Sequence, residues 1–186
     1  MTIENHADPV RAAGPRSVWR GTRGATALLV FDPAGESKHD ELPATWRGLA
    51  EQRQIVWFRL ATEGALSEAG ELLADSDALA PIVDVVTSGP AAESTLDVVE
   101  RHPGRVRSVL LVDPAAGQVG GSPEEADATW ADRNSDRLGA LEKAGVSVRI
   151  IAHSTEDERD RIPPPLPLGH PDVVTAVERA LGDLDR

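Results

Sequence analysis

The chain has 186 residues, 40% hydrophobic and 27% charged, the size and balance of one folded domain with a sizeable core. It has no cysteine, which excludes disulfides, thiolate metal sites and a cysteine nucleophile. With 19 basic against 31 acidic residues the net charge is −12, and aromatics are 3%, which argues against nucleic acid and anionic membrane surfaces as partners.

Met1 to Asp8 are polar, with no basic-then-apolar leader, and no apolar run reaches the roughly 18 residues of a membrane helix. The expectation is a cytoplasmic protein. Residues 1–16, with Pro9, Gly14 and Pro15, read as a flexible N-terminal arm, and 17–186 as one domain. Ala25–Phe31 is a continuous apolar run ended by Asp32-Pro33, the pattern of a buried strand. Pro43–Gln52 puts Trp46, Leu49 and Ala50 on one helical face. Strands follow at Ile55–Leu60, Ile82–Thr87, Val106–Val112 and Val146–Ala152. Between them, Leu66–Leu79, Pro90–His102 and Pro123–Ala144 read as helices, the last stopped by Gly145. A charged, proline-rich loop runs to Gly169, and Pro171–Leu184 closes the chain as a helix.

Strands alternating with helices imply parallel pairing through right-handed crossovers, hence a helix–sheet–helix sandwich. Ligands of such sheets bind beyond the carboxyl ends of the strands. The loops to inspect therefore begin at Asp32, Ala61, Ser88, Asp113 and His153.

Val85–Pro114 reads VVTSGPAAESTLDVVERHPGRVRSVLLVDP. This resembles the core of the α/β-hydrolase superfamily, in which a strand meets a tight G-x-S-x-G turn, then a helix ending in R-H-P-x-R-V, then a strand ending in D-P. Leu28–Gly35 resembles the first long strand and its oxyanion loop. Val146–Asp157 resembles the strand that carries the triad acid, and Leu168-Gly169-His170 the segment that supplies the base. The resemblance covers about residues 25–184 and implies a compact α/β sandwich, mostly parallel, with no cap domain: Ala115–Ser122 leaves room for only a loop where relatives insert a lid.

The likeness breaks where the chemistry sits. The family's spacing puts the nucleophile on Gly89, in Thr87-Ser88-Gly89-Pro90-Ala91. Thr87 and Ala91 are small, as the turn requires, and glycine adopts the strained apex conformation freely. Pro90, next in line, lacks the N–H that serves as an oxyanion donor. One such donor is worth about 3–4 kcal/mol in the transition state, and a lost serine nucleophile costs on the order of 10⁶ in turnover. Asp32 stands where the family usually has His, a carboxylate where negative charge must develop. If the frame shifts by one, Ser88 becomes the nucleophile, but Val86 and Pro90 then crowd the turn. His170 as base and Asp157 as acid (Glu156 or Asp160 if the loop is displaced) complete that alternative triad.

His39 and Asp40 read as a solvated loop, as does the mixed-sign run Glu156–Arg161, so no metal is expected. Gly117, Gly120 and Gly121 do not form a dinucleotide fingerprint, and no cofactor is expected. Pro163–Pro167 reads as a stiff connector, with a polyproline ligand as the alternative. Trp130 reads as core, with a pocket wall as the alternative. The reading is a degenerate hydrolase-like protein that binds a small molecule or a protein partner, its pocket formed by Asp32, Ala34, Gly89, Pro90, Asp113 and Trp130; the alternative is an active esterase or thioesterase using Ser88, His170 and Asp157.

Overall fold

A computed structural model describes residues 14–37, 40–118, 121–155 and 162–186. Six strands form one sheet: β1 (Ser17–Arg20), β2 (Ala27–Asp32), β3 (Gln54–Arg59), β4 (Val83–Ser88), β5 (Val106–Val112) and β6 (Ser147–Ala152), in the spatial order β1-β3-β2-β4-β5-β6. All neighbours are parallel except β1, which runs antiparallel to β3 with Val18 opposite Trp57. The sequence reading has five strands and misses β1. Four residues with Val18 as the one fully buried apolar side chain carry no recognisable run, and the edge of β3 supplies the pairing. Of the proposed arm, residues 1–13 lie outside the described residues; Pro15 and Arg16 accept hydrogen bonds from Arg59 through their carbonyls.

Every residue of β2, β3 and β4 is buried, because helices cover both faces. Side chains alternate between two cores. Leu29, Phe31, Val56, Phe58 and Val85 face α2 (Ala65–Ala74), α3 (Ala91–Arg101), α4 (Pro123–Arg133) and α5 (Ser135–Lys143). Leu28, Val30, Ile55, Trp57 and Val86 face α1 (Arg47–Gln52, entered through a 3-10 turn at Ala44–Trp46) and α6 (Pro171–Leu184). The result is the expected three-layer α/β sandwich with a mostly parallel sheet. Among the described residues, no helix is long and apolar enough to cross a membrane.

Two helical boundaries differ from expectation. Leu66–Leu79 shortens to end at Ala74, where Asp75 turns the chain by accepting a hydrogen bond from the Asp77 N–H. Pro123–Ala144 is two helices. Asn134, a weak helix former, binds the Trp130 carbonyl through both its backbone N–H and its side-chain amide and diverts the chain between α4 and α5.

At the amino end of β4, Asp84 is fully buried. It accepts bonds from Arg107 Nε (3.0 Å) and Nη2 (2.6 Å) and from Ser108 Oγ (2.7 Å), with Arg53 Nη1 at 3.5 Å. Both arginines also pair with Asp185, which ties the end of α6 to the sheet. This cluster lies at the opposite end of the strands from the loops described next.

Candidate functional site

The chain runs outward from β2 in one direction to β3 and in the other to β4, so the sheet order reverses between β2 and β4. That crevice is where open α/β sheets hold ligands. The loop after β2 and the turn after β4 meet there; Thr87 Oγ1 donates to the Phe31 carbonyl at 3.0 Å.

At the turn after β4, Gly89 has φ +58° and Pro90 begins the descent into α3. Glycine sits at the apex in the left-handed conformation the sequence reading assigns to it. A Cβ placed on Gly89 would lie 2.9 Å from Pro165 Cγ and 3.3 Å from Pro165 Cβ. The Gly89 N–H donates to the Val112 carbonyl (2.9 Å), and Pro90 has none to give. Ser88, one residue earlier, is buried in β4 opposite Val112. Its even-numbered neighbours Asp84 and Val86 share its side of the sheet, the side covered by α6.

The loop after β2 folds around its own carboxylate. Asp32, fully buried, accepts from the N–H groups of Ala34 (2.8 Å) and Gly35 (3.0 Å) on one oxygen, and from Glu36 N–H (2.6 Å) and Trp57 Nε1 (2.8 Å) on the other. The amides of Ala34, Gly35 and Glu36 are thus all engaged by Asp32. Glu36 then reaches across to accept from the N–H groups of Leu168 (2.6 Å) and Gly169 (2.9 Å). Burial pushes the Glu36 carboxyl above its usual range, and Asp32 adds to this, against the opposing pull of the Gly169 and Leu168 amides.

His170 is the N-cap of α6. Its Nδ1 accepts the Asp172 N–H at 3.2 Å. The Asp172 carboxylate lies 3.8 Å from the same nitrogen. Asp157, the expected acid, lies outside the described residues, as do Glu156, Asp160, His39 and Gly120.

A second set of groups gathers at the carboxyl ends of β5 and β6. Asp113 has φ +44°, an uncommon conformation that aspartate tolerates better than most residues. It is 1% exposed and accepts three hydrogen bonds: Ser154 N–H (2.8 Å), Ser154 Oγ (2.7 Å) and Leu166 N–H (2.7 Å). Asp127, from α4, is equally buried. It accepts the Ala115 N–H (2.9 Å) and lies 2.6 Å from His153 Nδ1. Burial raises the Asp127 carboxyl's pKa; the Ala115 amide and His153 act the other way. Ligand atoms of Asp113, Asp127 and His153 fall within 4.8 Å of one another, the spacing of a candidate metal site, which the sequence reading does not foresee. Within this group Asp127 and His153 are hydrogen-bonded to each other, whereas Asp113 is bonded to Ser154 and Leu166.

Beside this cluster opens a cavity of about 440 Å³, within the usual range for small-molecule sites. Its walls include Asp113, Asp127, Ala116, Ala126, Ser154 and Pro163. Of the six expected pocket residues, Asp113 alone lines it. Asp32 and Ala34 are locked in their own turn, Gly89 lies under Pro165, Pro90 is exposed, and Trp130 is 3% exposed in the core with its Nε1 bonded to Glu93. Sequence reasoning missed Glu36, Asp127, His153 and the place of Pro165. The proline run was visible, but its packing partner was not.

No family model matches the sequence, and no curated protein does. Among solved structures, the chain is similar to a carboxylesterase from Bacillus subtilis (15% identity, 87% of this chain, 56% of that one, TM-score 0.41). It is also similar to a hydrolase from Oleispira antarctica (12%, 86% and 67%, TM-score 0.40) and to lipase B of Aspergillus fumigatus (14%, 57% and 30%, TM-score 0.41). The chain thus spans under a third of the lipase and just over half of the carboxylesterase. Its own sheet order, the loop after β2 and the turn after β4 carry the assignment. The fold is α/β-hydrolase-like.

Proposed function

We propose that this chain is a non-hydrolytic binding protein built on an α/β-hydrolase-like sheet, with its small-molecule site in the cavity at the ends of β5 and β6. One observation carries the first half of this reading: the apex of the turn has no side chain, and Pro165 takes the space one would need. Three further features support it. Pro90 offers no oxyanion donor, Asp32 consumes the loop amides, and His170 caps a helix through the nitrogen that should bind an acid. The cavity supports the second half. A concave space of this size suits a small ligand better than a protein surface.

The test has two arms. A fluorophosphonate probe should leave the protein unmodified by intact mass, and short p-nitrophenyl esters should turn over at the buffer rate. Labelling of Ser88, lost together with esterase activity in His170→Ala, overturns the reading in favour of a working serine hydrolase. In the binding arm, small molecules that raise the melting midpoint should do so less in Ala116→Leu, which narrows the cavity.

A further inference from the structure

We infer that the cavity at the ends of β5 and β6 selects small organic cations, an ammonium group on a compact apolar body, over neutral and anionic molecules of the same shape. This rests on the binding reading above and specifies its ligand. Among the described residues, the walls hold two carboxylates, Asp113 and Asp127, and no lysine or arginine. His153, behind Asp127, offsets at most one of the two charges. Both side chains are about 1% exposed and their oxygens are already hydrogen-bonded, so they act on the cavity through their charge rather than as open acceptor positions. Beside the polar Gln118, Ser154 and Thr155, the wall carries an apolar face of Ala116, Ala126, Ile162 and Pro163, against which an apolar body can pack.

An anion would be the competing reading, because the first residues of α4, Ser122 and Pro123, also line the cavity. That helix end is already neutralised. Ser122 Oγ accepts the Glu125 N–H, the Glu125 carboxylate accepts the Ser122 N–H, and Glu124 adds a further charge in the first turn. Arg133 reaches the neighbourhood, but it is bonded to the Gln118 amide oxygen and is not part of the wall. An anion would also have to approach two carboxylates.

The experiment uses three probes of matched shape: 2-phenylethylamine, 2-phenylethanol and phenylacetate. Affinities are measured by calorimetry on the full chain at low ionic strength and neutral pH. The amine should bind at least tenfold more tightly than the alcohol, and phenylacetate should be weakest. Asp127→Asn should bring the amine close to the alcohol, and Ala116→Leu should weaken binding of all three. If Asp127→Asn fails to fold, the probe series on the unmodified protein still decides. Alcohol or phenylacetate binding as tightly as the amine, with weakening in Ala116→Leu, overturns the cation preference and leaves the binding reading standing. Stabilisation by Zn²⁺ but by no amine also overturns it. If none of the probes binds and a broad fragment set raises no melting midpoint, both inferences fail.

Discussion

The ring of Pro165 stands where a side chain on Gly89 would project, its Cγ 2.9 Å from the Cβ position. The contact is held from the far side. Leu166, next in the chain, donates its N–H to Asp113, and Glu36 grips the amides of Leu168 and Gly169. The apex of the turn is therefore closed by a segment pinned to two different carboxylates.

Restoring a serine at the apex should not restore a hydrolase. Gly89→Ser places an L-residue at φ +58°, at about 1–2 kcal/mol, and drives it into the Pro165 ring, at about 1–3 kcal/mol more. We expect a loss of about 2–5 kcal/mol in urea unfolding, with no fluorophosphonate labelling. The cycle Gly89→Ala with Pro165→Ala isolates the contact. A favourable coupling of about 1 kcal/mol in the double variant is the expected sign. Strict additivity would mean that the two residues do not press on each other.

Asp113 should govern the proline segment. Asp113→Asn replaces one accepting oxygen by a donor and leaves one of the buried N–H groups of Ser154 and Leu166, or the Ser154 hydroxyl, unmatched, at about 1–3 kcal/mol each. Native-state hydrogen exchange at the Leu166 amide should quicken by about tenfold or more, the equivalent of ~1.4 kcal/mol, while amides in the centre of β2 follow only the global change. Equal acceleration everywhere would assign Asp113 a general stabilising role and none specific to the segment.

The architecture was legible because the central strands are covered on both faces. Leu28 to Phe31, Val85 to Thr87 and Val109 to Val112 then read as unbroken apolar or β-branched runs. β1 was not legible, since an edge strand needs only Val18 turned inward and takes its pairing from β3. The apex could be read from Gly89 and Pro90 because turn chemistry is local. The rest of the site could not, because its partners are far apart in the chain: Asp113 with Ser154 and Leu166, Asp127 with His153, Glu36 with Leu168. His170-Pro171-Asp172 was open to a local reading, a cap followed by proline at the first helical position, but the resemblance drew it toward catalysis.

Asp84 should be a more sensitive position than its partner Arg107. It is fully buried, and it faces Arg107, Arg53 and Ser108. Asp84→Ala leaves Arg53 and Arg107 with only the half-exposed Asp185 as their common anion, a loss of up to about 3–5 kcal/mol by analogy with other broken buried pairs. Arg107→Ala should cost less, because Arg107 is 28% exposed and Arg53 still answers Asp84. Urea denaturation of both variants at neutral pH gives the ranking, and the reverse order would place the energetic centre on Arg107.

Glu36 gives the site a pH signature of definite sign. Its carboxyl is raised by burial and by Asp32, so the folded protein holds this proton more tightly than the unfolded chain does. Stability from this group is fully present below the unfolded carboxyl value. It declines as pH rises towards the higher folded value and is absent above it, because proton release accompanies unfolding. Glu36→Gln carries no such proton and should flatten that part of the curve. The amide keeps one accepting oxygen for Leu168 or Gly169 but not both, so the variant should also show faster exchange at one of these two amides at every pH. Asp127, raised in the same direction, remains in both proteins and cancels in the difference. The measurement is urea stability of both proteins from mildly acidic to neutral pH. The wild type minus Glu36→Gln difference should fall with rising pH through the acidic range. A difference that rises instead would mean that the Leu168 and Gly169 amides outweigh burial, which would make the clamp an anion site proper.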